Sequence, residues 1–122
     1  MKRHLSPLDY SSFYRGVVDL HGEGCWACRT DDANRWKCHD RSMGFYDAHH
    51  LIAQRTLRRE LDADSFTAAV KDPRNGVLLG RYHHSLVEHA MCRIELPPEV
   101  WAFGADWGLV WAVERMERME AA

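Results

Sequence analysis

The sequence predicts an α+β fold: a short two-stranded hairpin with its helix, flanked by N- and C-terminal helices. Two stretches predict the strands, Phe45 to Ile52 (FYDAHHLI) and Val77-Leu78-Leu79 behind a strong turn signal. Apolar residues at helical spacing elsewhere predict the remainder. Leu8 to Leu20 carries such spacing and starts after Ser6-Pro7, a helix-initiating pair. His21-Gly22-Glu23-Gly24 breaks it, and Cys25-Trp26-Ala27-Cys28 follows. The polar run from Arg29 to Gly44 reads as a hairpin or long loop. Thr56 to Lys71 reads as helical, broken near Leu61 to Asp64, and Asp72-Pro73-Arg74-Asn75-Gly76 reads as a turn. His83 to Met91 reads as a helix. Beyond Pro97-Pro98 comes a last helical region whose Trp101, Phe103, Trp107, Trp111 and Met116 are expected in the core.

A chain of 122 residues without an internal repeat or linker fits a single domain, residues 1–122. Hydrophobic content of 46% excludes a largely disordered chain. No apolar run approaches the roughly 20 residues of a membrane span, and no apolar segment follows the basic N-terminus as in a secretory leader. With Cys25 and Cys28 spaced C-x-x-C, the expectation is reduced thiols in a cytoplasmic protein. The net charge of -2 conceals an uneven distribution: Arg55 to Arg81 holds six basic and four acidic residues, Glu95 to Ala122 two basic and six acidic. A locally basic face is compatible with that pattern.

Four features follow one another: Cys25-x-x-Cys28, His49-His50, Asn75, and His83-His84. Singly each has an ordinary structural explanation. C-x-x-C occurs in redox sites, one of two adjacent strand histidines is often a core residue, and Asn before Gly is a turn pair. In combination, D-A-H-H-L-I, a spacer, and then D-P-R-N-G-V-L-L-x-x-x-H-H-x-x-x-E resembles the HNH family of nucleases, with a core motif over about residues 24–90. The C-terminal L-P-P-E-V-W-A-F and W-G-L, in the helical extension of about 97–122, more loosely resemble small HNH proteins of bacteriophages and bacteria.

The resemblance implies a ββα-metal (His-Me finger) core in which a strand carries the His pair, a second strand follows the Asn, and a helix supplies the last His. It implies a hydrolase that cuts DNA with one divalent metal, Mg2+ or Mn2+. In that scheme His50 is the general base, Asn75 orients it or lies near the metal, and His49 and His84 are metal ligands. Adjacent strand residues project to opposite faces, which suits separate roles for His49 and His50. Glu88, one helical turn beyond His84, is a further metal ligand or else a solvated glutamate. Arg55 and Arg59 share a helix face and either contact DNA phosphates or are solvated.

A second site departs from the family pattern. Many members hold a structural zinc with two C-x-x-C pairs, but Gly80 and His83 stand where the second pair would be. Cys25, Cys28 and His83 supply three zinc ligands, and a tetrahedral site needs a fourth. Cys38, His39 and Cys92 are candidates among which the sequence does not choose; the set carried forward is Cys25, Cys28, His83 and Cys38. The other reading is that zinc was lost and the fold relies on its core. Two alternatives to a nuclease stand beside it: a zinc-stabilised nucleic-acid-binding module that does not cut, and an interaction subunit working with a phage packaging or host protein. The expected setting is the cytoplasm of a bacterium or of a phage-infected host.

Overall fold

The structure, a computed structural model, describes residues 6–30, 46–88 and 94–121. Helix α1 (Pro7–His21) starts where the Ser6 hydroxyl accepts the Asp9 N–H at 3.1 Å, with Pro7 in its first turn. It ends at Gly22, whose φ of 79° favours glycine. Phe13 and Val17, four residues apart on one face, are fully buried. A short helix α2 (Trp26–Thr30) carries Cys28, so the segment around the C-x-x-C pair is helical, and the loop expected to start at Arg29 does not start there. Residues 31–45 lie outside the described residues.

Strands β1 (Tyr46–His50) and β2 (Gly76–Gly80) pair antiparallel, with His49 opposite Val77 and His50 opposite Gly76. The two strands expected from sequence thus pair, joined by a long connection rather than a short turn. The connection at 51–75 holds helix α3 (Gln54–Glu60), helix α4 (Ala63–Val70) and a 3-10 turn at Pro73–Asn75. The helical reading of Thr56 to Lys71, broken near Leu61 to Asp64, falls on these two helices and the break between them.

The alternation of β1 splits its side chains between two environments. Ala48 joins Leu78, Phe13 and Val17 in a small cluster under α1. On the other face Val77 and Leu79 enter the main core with Leu57, Phe66, Val70, Phe103 and Val113. Gly76 is extended (φ -137°), so the position requires space rather than unusual backbone. A Cβ there would fall on the Phe13 ring and 2.7 Å from Val17 Cγ2. Helix α5 (Arg81–Glu88) follows β2 directly and contacts both strands.

Helices α6 (Glu99–Trp107) and α7 (Val110–Ala121) form the C-terminal layer, joined through Gly108 in the left-handed region. Arg74 ties this layer to the turn before β2, bonding Asp72 at 2.7 Å and Asp106 at 2.6 Å. Trp101, Trp107 and Met116 pack on the core as expected, and Phe103 is fully buried. Trp111 does not: it is 41% exposed, because Leu109, Ala112 and Val113 take the inward positions. Among the described residues no helix is long and apolar enough to cross a membrane.

Candidate functional site

Helix α5 begins with two adjacent histidines whose side chains serve different neighbourhoods. His83 is fully buried, and its Nδ1 lies 3.4 Å from both Cys25 Sγ and Cys28 Sγ. The lone pair of one imidazole nitrogen can accept one S–H, not two. Two sulfurs equally close to the same nitrogen are what three donors around a cation look like. Zinc bonds of about 2.3 Å to sulfur and 2.0–2.1 Å to nitrogen, at a tetrahedral angle, separate the donors by about 3.5 Å. The residues therefore fit zinc. Among the described residues this is the one set of three or more His, Cys, Asp or Glu donors lying within 4.8 Å of one another. Cys38, His39 and Cys92 lie outside the described residues, so the fourth ligand is not placed.

His84, the next residue, turns to β1. Its Nδ1 is 3.1 Å from the Asp47 carboxylate, and its ring meets the His49 ring edge-on with centroids 5.2 Å apart. A carboxylate on Nδ1 holds a neutral imidazole in the tautomer that presents Nε2 as a ligand, as in many metal sites. His49 is pushed down to about 4 by burial first, then by its neighbours His84 and His50, so it is neutral at pH 7. Neutral imidazole is the ligating form. Glu88 closes α5, and its side chain is outside the described set.

His50 projects to the opposite face of β1, where Phe13 stacks on it nearly parallel at 4.0 Å. Its Nε2 lies 2.9 Å from the Val70 carbonyl, and a carbonyl only accepts, so Nε2 carries the proton and Nδ1 is the basic nitrogen. The amide nitrogen of Gln54 sits 3.4 Å from Nδ1. Burial lowers the His50 pKa, partly offset by the Val70 bond, leaving a neutral base at pH 7. Asn75 is fully buried and clamps the chain just beyond His50: its Oδ1 accepts the Ile52 N–H at 2.7 Å and its Nδ2 donates to the Ile52 carbonyl at 3.0 Å.

Both faces open at one depression of roughly 440 Å³, lined by Tyr10, Asp47, His49, His50, Gln54 and His84 among others. The Tyr10 hydroxyl accepts the Ala48 N–H at 2.9 Å, so α1 seals the backbone beside the paired histidines. Asp47, Tyr10 and Gln54 were not singled out from the sequence. Asp47 had a usable signal, a carboxylate two residues before His49 and hence on the same strand face. Tyr10 and Gln54 had none, since only tertiary packing brings them there. Arg55 and Arg59 are exposed on α3 and border a separate groove against α7. No family model, no curated protein and no solved structure matches this chain.

Proposed function

We propose that the chain is a metal-dependent endonuclease of the HNH type, with β1, β2 and α5 as its ββα-metal core and DNA as its substrate. One observation carries the reading: His50, in the tautomer fixed by the Val70 carbonyl, lines the same depression as His49 and His84. Phosphodiester hydrolysis needs a base for water, and Nδ1 of His50 supplies one. On taking the proton the ring becomes imidazolium, and its Nε2–H bond to Val70 strengthens as charge develops. Phe13 holds the ring plane during that transfer. Asp47 orients His84, and Asn75 fixes the chain that follows His50.

A divalent cation such as Mg2+ or Mn2+, held by His49 and His84 and further by Glu88, would stabilise charge on the phosphate and on the departing 3'-oxygen. Zinc on Cys25, Cys28, His83 and a fourth ligand such as Cys38 would set the start of α5 and hence the place of His84. The test is plasmid nicking by the purified chain with and without Mg2+ or Mn2+, beside His50→Ala. Metal-dependent nicking that the variant loses is the expected result. DNA binding without cutting under either metal would instead favour a zinc-held binding module.

A further inference from the structure

The groove beside the candidate catalytic depression is built from two helices that each contribute a pair of residues one turn apart. Helix α3 supplies Arg55 and Arg59, and α7 supplies Trp111 and Arg115. Its volume is roughly 420 Å³, and its floor includes Leu51, Ile52 and Ala53, the residues immediately after His50. Ala53 also lines the depression that holds His49, His50 and His84, so the two spaces adjoin at that residue. Among the described residues three guanidinium groups and no carboxylate line the groove, although the whole chain has a net charge of -2. Among the described residues neither Arg55 nor Arg115 is in an ion pair, and Arg59 bonds only the neighbouring, exposed Glu60 at 3.0 Å. Such an exposed pair is worth little and yields readily to a phosphate.

Trp111 decides what kind of polyanion fits. A large apolar ring left 41% exposed between arginines loses nothing by meeting a phosphate chain but gains only from a flat apolar partner. In a duplex the base faces are already covered by their neighbours. In a single strand they are open, and stacking on an aromatic side chain beside basic residues is how such strands are held. We propose that this groove binds a single-stranded segment of nucleic acid, with a base stacked on Trp111 and its phosphates on Arg55, Arg59 and Arg115. Building on the nuclease reading, it names the substrate form received: an unpaired strand, threaded past Ala53 toward His50.

The test is equilibrium binding of a labelled dT oligonucleotide, the same strand as a duplex with dA, and an rU oligonucleotide, to full-length protein in a His50→Ala background. Cutting is thereby removed from the readout. The single strand should bind more tightly than the duplex, and the dT and rU arms say whether the sugar matters. Trp111→Ala should weaken single-strand binding by about 5- to 150-fold, the equivalent of one base stack. Trp111→Phe should recover most of the loss. Arg115→Gln should weaken binding and reduce the dependence of log affinity on log salt by about 0.7. Unchanged single-strand affinity in Trp111→Ala would overturn the proposal, as would a duplex bound equally well. Self-association that Trp111→Ala abolishes, without oligonucleotide binding, would also overturn it and assign the groove to a second copy of the chain. A chain that binds single strands through Trp111 but never cuts leaves this proposal standing and removes the nuclease reading. A chain that cuts normally with Trp111→Ala does the reverse.

Discussion

His49 and His50 are neighbours in sequence with opposite environments, and the strand pleat makes the difference. His50 faces α1, where Phe13 and the Val70 carbonyl hold it; His49 faces α5 and the His84 ring. The depressed pKa of His49 has a measurable consequence. The unfolded chain takes that proton near 6.5 and the folded chain only near 4, so the unfolded state binds more protons in between. Its contribution to stability is complete above 6.5 and is lost as pH falls toward 4. The drop in melting temperature from pH 7 to about pH 4.5 should therefore be smaller in His49→Gln than in the parent; equal drops would show that folding does not change the proton affinity of His49. Asn75 gives a second test at this scale. Asn75→Ala would strand the buried N–H and carbonyl of Ile52, at about 1–3 kcal/mol for each group. Denaturant unfolding should report that loss, and cleavage should fall with it because the clamp lies two residues past His50. Asn75→Ala with parental stability would contradict the clamp.

At the level of elements, α5 is the shared part: its first turn sends His83 to the Cys25–Cys28 pair and His84 to β1. Elemental analysis should find zinc in the parent and not in Cys25→Ser, which should also melt lower and cleave more slowly through α5, although Cys25 does not line the depression. Unchanged melting of the parent in strong chelator would speak against a zinc that stabilises the fold. Gly76 links the other two elements. Gly76→Ala should cost about 1–3 kcal/mol, since the new methyl meets Phe13 and Val17. It should also displace Phe13 from His50, so cleavage should fall more than the stability loss explains, read as rate at a temperature where the variant is folded. Much of this was legible in sequence. The aromatic and apolar ends of FYDAHHLI pointed to β1, the Ser6-Pro7 start to α1, and C-x-x-C with His83 to the three-donor cluster. Gly76 was read as a turn glycine because a close approach by Phe13 is a tertiary fact. The connection between the strands was legible as well, since the helical pattern over Thr56 to Lys71 with its break near Leu61 matches α3 and α4.

For the whole molecule, the arrangement is a division of labour around one two-stranded sheet. Helix α1 covers the His50 face, α5 serves His49 from the other side, and α6 and α7 close the core through Arg74 and the Phe103 cluster. Trp111 escaped the sequence reading because apolar spacing along α7 does not rank which aromatic residue faces outward; Arg55 and Arg59 were legible from their spacing, but Arg115 opposite them was not. The central claim is that the two faces of β1 carry separate functions, a base on one and metal ligands on the other. The measurement that tests it most directly is the plasmid cleavage rate against Mn2+ concentration for the parent, His50→Ala and His84→Ala. The account predicts that His50→Ala is slower by about 10²–10⁴-fold at every concentration, with its half-saturating Mn2+ unchanged. His84→Ala should need more Mn2+ and regain activity as it is supplied. A His50→Ala protein that cuts as fast as the parent, or one whose activity high Mn2+ restores, would contradict it.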